Sequence, residues 1–222
     1  MRILIYMELT FFAFYIIALL FSIIIHEISH GYVARWLGDD TAERAGRLTL
    51  NPIPHIDLFG SILLPLFLFI SHSPVLLGWA KPVPYNPYNL YKDYKYGPLK
   101  VALAGPASNI LLFVFFIIAG TFFVAINPIT ASLMGFIAFM NLYLCIFNLI
   151  PIPPLDGSKL LSLLFPKAAI LLEKNIMFGF LIVFGMVFLF GDVISGFVNL
   201  IFTSLASQAL LVAMCQTFGL CF

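Results

Sequence analysis

The residues with the clearest capacity for chemistry lie in the stretch SIIIHEISHGY, residues 22–32. It follows seventeen uncharged residues, Leu9 to Ile25. On an α-helix, side chains four residues apart lie on one face, so His26 and His30 present two imidazoles to one point. Imidazole nitrogens are preferred ligands of Zn²⁺, and the carboxylate of Glu27 beside them is placed to hold a metal-bound water. The stretch therefore predicts a metal-binding face on a helix.

The chemistry that this arrangement predicts is hydrolysis. Zinc lowers the pKa of a bound water to about 7 and polarises a carbonyl group. Glu27 would take the proton of that water and pass it to the leaving amine. The alternative is a set of polar residues near the lipid headgroups. Arg35 marks the interface, and His26 and His30 lie about 7–13 Å inward from it at 1.5 Å per residue. Ionisable groups at that depth are costly and by default functional, which favours the metal site.

The composition places this face in a membrane. Of 222 residues, 62% are hydrophobic and 9% are charged, whereas soluble domains carry about 25% charged residues. Continuous apolar runs long enough to span a bilayer recur, which predicts an all-α polytopic membrane protein with about five transmembrane helices. The net charge of +1 gives no indication of nucleic-acid binding. The three cysteines show no CxxC spacing, so neither a disulfide framework nor a Cys-ligated metal is expected.

The long apolar runs predict where these helices lie. The first three are approximately Glu8–Leu37, Val101–Ile126 and Ala131–Ile150. A C-terminal helical hairpin follows at about residues 170–216, with Asn175–Phe190 and Val193–Ala213 joined by a turn at Gly191–Asp192. We expect all of residues 1–222 to form one membrane-embedded domain, with a catalytic core at about residues 8–165.

A shorter apolar piece, residues 58–70, has a different expected role. It has only thirteen residues and contains Pro65, which is short for a crossing. With its flanks, about residues 45–80, it predicts a re-entrant or interfacial hairpin that carries a short β segment. The following stretch to residue 100 is rich in Pro, Tyr and Lys, which is typical of an interfacial loop.

A catalytic zinc ion needs a third protein ligand. The candidates near the membrane are His55, Asp57 and Asp156. If residues 58–70 do not cross, the next two helices make two crossings and return Asp156 to the side of the histidines. The same topology places ten basic residues on one side, which is the cytoplasmic side by the positive-inside rule. These residues are Arg35, Arg44, Arg47, Lys81, Lys92, Lys95, Lys100, Lys159, Lys167 and Lys174.

The segment before Asp156 also predicts a site. Pro151, Pro153 and Pro154 cannot continue a helix, and unwound backbone at membrane depth occurs only inside protein or along a cavity. Extended backbone of this kind can pair with a substrate strand. The amide of Asn148 is placed to hold the substrate backbone or an oxyanion, or else it caps the helix. The alternative for Asp156 is a solvated loop acid.

Three motifs resemble the site-2 protease family of intramembrane zinc metalloproteases, peptidase family M50. They are HEISH (26–30), AGPASN (104–109) and NLIPIPPLDG (148–157), and the resemblance covers about residues 10–165. It implies a transmembrane core of three helices that holds one zinc ion per chain. The sequence looks like the minimal prokaryotic branch of the family, without PDZ or CBS domains.

The same resemblance implies the roles of individual residues. Zinc would be held by His26, His30 and Asp156, with Glu27 as the catalytic base. Substrate would lie near Asn148, Pro151 and Asn109. The implied substrates are single-pass transmembrane proteins, cut near the cytoplasmic side of the prokaryotic inner membrane.

Several alternatives stay open at this point. NPIPHID (51–57) echoes the 148–157 motif, so His55 or Asp57 would line the site or ligate, or would belong to a turn braced by prolines. Gly105 and Pro106 either begin a helix or allow it to approach the site closely. A membrane zinc transporter or metal-binding protein is the main alternative function, but it predicts ligands at several depths. A prenyl-protein type of protease would take Glu173 as its third ligand. His72 and Asp192 are expected at the interface.

Overall fold

The structure, a computed structural model, describes residues 2–71, 78–165, 176–219 and 221. The chain divides into two compact units, Met1–Gly97 and Pro98–Phe222, and each is described by itself. In the described part, four helices are long and apolar enough to cross a membrane: Ala13–Leu37, Gly97–Phe123, Pro128–Asn148 and Met177–Leu205. No strand is present in that part. The described part is therefore all-helical, and the protein is a multi-pass membrane protein.

The first unit is built around one long helix. Its elements are α1 (Arg2–Leu37), α2 (Thr41–Arg44), a 3₁₀ turn (Ile53–His55), a π-helical turn (Leu58–Leu63), α3 (Leu64–Ile70) and a second 3₁₀ turn (Pro87–Asn89). Helix α1 ends where Gly38 takes a φ of 118°, which side chains with a Cβ rarely adopt. A Cβ there would also lie 2.3 Å from the Tyr91 ring. Gly38 thus ends the helix and leaves space for the Tyr91 ring to pack against the helix end.

The predicted short β segment is wrong for the described residues of the 45–80 region. The chain there forms bends and helical turns. The physical reason is local: Pro52 and Pro54 supply no ladder N–H, and polar side chains cap turns instead. Asn51 Oδ1 accepts from the N–H of Ile53 at 3.1 Å, and Asp57 Oδ1 accepts from the N–H of Gly60 at 2.7 Å.

The short apolar piece at 58–70 agrees in length with its prediction. The stretch Leu58–Leu68 is a shorter apolar helix and is not among the four candidate spans of the described residues. At 1.5 Å per residue, thirteen residues reach only about 20 Å, less than the hydrocarbon thickness of about 30 Å.

The second unit packs four helices around one apolar core. Its elements are α4 (which begins at Gly97 and runs to Phe123), α5 (Pro128–Asn148), α6 (Ser158–Leu164), α7 (Ile176–Leu205) and α8 (Gln208–Phe218). A Cβ on Gly135 would lie 2.5 Å from Met214 Sδ, so this glycine lets α5 and α8 approach closely. The buried core is Phe113, Ile117, Ala131, Ala138, Leu142, Val198, Phe202, Leu210 and Met214.

The predicted turn at Gly191–Asp192 is wrong, and with it the count of five spans. Helix α7 continues through both residues to Leu205, and Asp192 is an exposed residue within it. A glycine inside a helix costs only about 1 kcal/mol, and no proline interrupts this run. The chain turns instead before Ser207, whose side chain accepts from the N–H of Leu210. Helix α8 has 11 residues and is too short to span.

Two further expectations change in this unit. Pro106 lies inside α4 and does not begin it, because the helix already starts at Gly97.

Cys215 and Cys221 form a disulfide bond, although their spacing gave no sign of one. Gly219 takes a φ of 68° at the end of α8 and turns the chain, which brings the two cysteines together. The expectations for His72, Lys167, Glu173 and Lys174 fall outside the described residues.

Asp39 ties the end of α1 to the later part of the first unit. Its side chain is fully buried and accepts hydrogen bonds from Thr41, from the N–H of Asn86 at 2.6 Å and from Asn89 Nδ2 at 3.0 Å. Burial by itself would raise the pKa of Asp39, but these hydrogen bonds outweigh it and hold the pKa below the ordinary 3.8. The ionised carboxylate is therefore the form that stabilises the fold.

Asp39→Asn is expected to lower stability by about 2 kcal/mol, since hydrogen bonds to a buried charge are lost. A group with a lowered folded pKa stabilises above its unfolded pKa and loses that contribution as pH falls through the folded value. The difference in melting temperature between wild type and Asp39→Asn in detergent should hold from pH 7 to about pH 5 and shrink below pH 3.8. Asp40→Asn is the matched control, because Asp40 pairs with Arg44 on the surface. Equal melting temperatures for wild type and Asp39→Asn at pH 7 would contradict this account.

Candidate metal centre

Three potential metal ligands converge on one turn of α1. One ligand atom from each of His26, Glu27 and His30 lies within 4.8 Å of the other two. Both histidines are buried, and their ring centroids are 4.7 Å apart. Within the described part of the chain, this is the one group of three or more His, Cys, Asp or Glu side chains that could hold a metal ion. Its nitrogen and oxygen donors suit zinc.

Gly31 lets other segments approach this turn. It lies four residues after Glu27, on the same face of α1. A Cβ on Gly31 would lie 2.5 Å from Leu48, 2.9 Å from Val83 and 3.1 Å from Ala42. The glycine therefore provides the space in which the chain after α2 and the chain around Val83 pack against the helix.

An extended segment crosses α1 at this point, and we call residues 79–83 the strap. Its last residue donates its backbone N–H to Glu27 Oε2 at 2.8 Å. Its first residue is also fixed: the N–H of Trp79 donates to Gly60 O, and Trp79 O accepts from Ser61 Oγ at 2.9 Å. The strap is thus attached at both ends, and one end is attached to a member of the metal-binding group.

Arg47 holds the strap between these ends. Its Nη2 donates to Lys81 O at 2.7 Å and to Pro82 O at 3.2 Å. Its side chain belongs to the buried polar residues of the protein. From the sequence, Arg47 was predicted only as one of ten cytoplasmic basic residues. The Pro-Val-Pro sequence at 82–84 was the one available sign of an extended segment here.

His55 and Asp57 lie in the turns that flank the strap and are not members of the converging group. His55 is buried, its Nε2 is 2.9 Å from Thr49 O, and its carbonyl accepts from the N–H of Lys81. Asp57 caps the π-helical turn through Gly60. Both residues have identifiable structural contacts in the first unit.

The second unit contains the loop that carries Asp156. Helix α5 ends at Asn148, shortly before Pro151, which agrees with the predicted unwinding at the prolines that follow it. Residues 149–157 form turns before α6. Asp156 is half-buried and Pro151 is exposed. The side-chain amide of Asn148 donates to Leu144 O in the preceding turn at 2.9 Å.

Gly157 is required by close packing within this loop. A Cβ at this position would lie 2.2 Å from Leu149 O and 2.6 Å from Ile150 O. Its backbone is in the ordinary right-handed helical region, so the constraint is space and not conformation. The N–H of Gly157 also donates to Asn148 O at 2.7 Å. The glycine therefore allows the loop to fold back on the end of α5, and this packing fixes the position of the neighbouring Asp156 backbone.

Asn109 lies in a buried amide pair between α4 and α5. It is fully buried, and its Nδ2 donates to Asn141 Oδ1 at 3.3 Å. Asn141 in turn donates to Ile137 O at 2.9 Å. Sequence analysis did not single out Asn141, although an amide within an apolar run is a recognised sign of helix–helix hydrogen bonding in membranes.

Comparison with known proteins places the chain in a family. The model for peptidase family M50 matches residues 125–192. "Putative zinc metalloprotease YwhC" of Bacillus subtilis is 38% identical over 169 residues, which cover 72% of this chain and 73% of the relative. Rip2 of Mycolicibacterium smegmatis, named in the same terms, is 31% identical over 168 residues, which cover 74% of this chain and 62% of that protein. No solved structure matches the chain.

The helical membrane fold and the His-Glu-His group, taken with these relatives, define a zinc metalloprotease. The chain belongs to peptidase family M50. The predicted family and enzyme class are thereby confirmed.

Gly157→Ala is expected to disrupt the Asp156 loop, because the new methyl group would overlap backbone carbonyls that cannot move aside cheaply. We expect a loss of about 1–3 kcal/mol, seen as a lower melting temperature in detergent. Gly196→Ala is the matched control, since a Cβ there meets nothing within 4 Å, and in a helix it should be neutral or stabilising. Equal stability of Gly157→Ala and Gly196→Ala would refute the packing argument.

Proposed function

We propose that the protein is an intramembrane zinc endopeptidase that hydrolyses peptide bonds in or near the transmembrane segments of single-pass membrane proteins. The observation that carries this proposal is the location of the metal-binding group. His26, Glu27 and His30 lie within Ala13–Leu37, a helix long and apolar enough to span a bilayer. A hydrolytic group in such a helix meets substrates that are themselves in the membrane.

The residues of α1 have distinct roles in this proposal. His26 and His30 hold the zinc ion, one per chain, through ring nitrogens that their helical spacing brings together. When bound, zinc polarises the scissile carbonyl and activates a water. Glu27 is the general base: it accepts the proton of the attacking water and delivers it to the leaving amine.

Asp156 is the proposed third ligand. Two helices long enough to span, α4 and α5, lie between the first unit and Asp156 along the chain, and two crossings would return the chain to its starting side. The family match spans Asp156 as well. Asn148, Pro151 and Asn109 are proposed to lie near the substrate. His55 and Asp57 are the alternative ligands.

The basic residues suggest the orientation. Ten of the eleven Lys and Arg residues fall on one side under this crossing scheme, which the positive-inside rule assigns to the cytoplasm. We place the site near the cytoplasmic face of a prokaryotic inner membrane. Water reaches it from that side, and the segment at 58–100 is the candidate for a gate or substrate-presenting element.

Glu27→Gln is the direct test of the general base. We expect cleavage of a model single-pass substrate in detergent to fall by about 10²–10⁴-fold, because the amide cannot accept the proton. Zinc content should be unchanged, so that the loss is assigned to chemistry. Glu43→Gln is the matched control, as Glu43 pairs with Arg35 on the surface. Full activity of Glu27→Gln with zinc bound would exclude this role, and metal uptake into proteoliposomes without cleavage would favour a transporter.

Metal content tests the proposed ligands. Wild type purified with zinc should contain about one ion per chain. His26→Ala and Asp156→Ala should each lose zinc on dialysis against a weak chelator, because a catalytic site has only three protein ligands. Asp192→Ala, which changes an exposed carboxylate on α7, is the control. Unchanged zinc in Asp156→Ala would move the third ligand to Asp57 or His55.

A further inference from the structure

We propose that Arg47, acting through the backbone of the strap, is a positioning residue for Glu27. This proposal rests on the proposed role of Glu27 as general base. The first observation is the 2.8 Å hydrogen bond from the N–H of Val83 to Glu27 Oε2. A glutamate side chain loses considerable rotamer freedom when it is fixed. This hydrogen bond fixes one carboxylate oxygen, Oε2, and leaves Oε1 without that contact.

The sequence reserves one N–H for this contact. Val83 lies between Pro82 and Pro84, and proline has no N–H. Val83 is therefore the only backbone donor of these three residues. A proline also restricts the residue before it to extended conformations, so Pro84 keeps Val83 extended as it crosses α1.

Arg47 donates to the carbonyl oxygen of the same peptide group, Pro82–Val83. Its Nη2 lies 3.2 Å from Pro82 O, and this carbonyl shares one peptide plane with the N–H of Val83. A single peptide dipole is thus held between a guanidinium at its oxygen and a carboxylate at its N–H. Hydrogen bonds in such a chain polarise and strengthen one another. The second contact, 2.7 Å to Lys81 O, restrains the neighbouring peptide.

The position of Arg47 is itself determined by α1. Its N–H donates to Ala42 O at 2.9 Å, directly after Gly46 reverses the chain with a φ of 65°. Ala42 and Val83 both lie against Gly31, one turn after Glu27. The positions of Arg47 and of the Val83 N–H are therefore both set by packing against the turn of α1 that follows Glu27.

The charge on Arg47 is costly in this position. Its side chain is only 7% exposed, and buried charges persist where they are hydrogen-bonded. Carbonyl oxygens of the strap, not a carboxylate, accept from its Nη2. Its buried Nε has no hydrogen-bond partner in the described part of the chain, so the side-chain hydrogen bonds of Arg47 are its two Nη2 contacts with the strap, one of them to the peptide that contacts Glu27.

The sharpest test removes the backbone hydrogen-bond donor of Val83. The Val83 amide is replaced by an ester, by incorporation of the corresponding α-hydroxy acid. The same replacement weakens Pro82 O as an acceptor for Arg47, so it acts on both contacts of this one peptide group. We expect kcat for the model substrate to fall about 10- to 100-fold, the effect of one hydrogen bond to a charged group, with KM within about twofold and zinc content unchanged. The control is the same ester at Ala80, whose N–H has no hydrogen bond within the described part of the chain.

Hydrogen exchange gives a readout that needs neither zinc nor activity. Because Pro82 and Pro84 have no amide hydrogen, Val83 provides the only exchangeable backbone position from 82 to 84. In metal-free protein, its exchange should be at least about tenfold faster in Glu27→Ala and in Arg47→Gln than in wild type. The Lys81 amide, which donates to His55 O, should change little in Glu27→Ala. Unchanged Val83 exchange in both variants would overturn the proposal.

Arg47 variants connect the two tests. Arg47→Gln should lower kcat in the same direction as the Val83 ester, and Arg47→Lys, which keeps a charged donor, should recover part of it. If Arg47 variants do not fold, the ester still tests the peptide group through which Arg47 is proposed to act. An unchanged kcat for the ester overturns the proposal, and a raised kcat overturns it in favour of a strap that blocks the site. These outcomes differ from failure of the proposed function, in which wild type would not cleave or Glu27→Gln would remain active.

Discussion

The structure depends on one constraint: polar side chains that are buried or partly buried in this apolar protein must find hydrogen-bond partners within it, because apolar surroundings offer none. Each polar group described here meets it differently. Glu27 takes an N–H from the strap, Arg47 takes two strap carbonyls, and Asn109 takes the amide of Asn141. For the first two groups, the partner is backbone outside any helix. The irregular segment between α1 and α4 is therefore part of what allows ionisable side chains to exist on α1.

The same constraint explains where glycine and proline occur. Irregular backbone can reach the carboxylate on α1 only if the helix surface is free of side chains at the crossing, and Gly31 provides that. Gly157 has the equivalent function in the second unit, where the loop folds onto the carbonyl end of α5. Prolines at 82 and 84 keep the strap extended, and those at 151–154 end α5. These glycines and prolines thus determine where the backbone runs near the candidate site residues.

Much of the fold could be predicted, because run length alone identifies α1, α4 and α5. The errors have physical causes. Around residues 45–57, side-chain caps and prolines outcompete strand pairing, and Gly191–Asp192 resembles a turn although neither residue breaks a helix. The metal-binding face on α1 followed from a spacing of four. Arg47, Gly31 and Val83 did not, since their roles arise from contacts between segments that are 34 to 56 residues apart.

The continuity of α7 has a consequence for how the protein sits in lipid. Asp192 divides this helix into pieces of sixteen and thirteen residues, Ile176–Gly191 and Val193–Leu205, or about 24 and 20 Å. Neither piece alone matches a hydrocarbon core of about 30 Å. Placing the middle of the helix at the bilayer centre would put the Asp192 side chain in lipid, which costs about 2.5–3.5 kcal/mol. The favoured depth of α7 in the bilayer is therefore the one that brings the Asp192 side chain to a polar boundary or to a polar partner. That depth depends on the thickness of the bilayer.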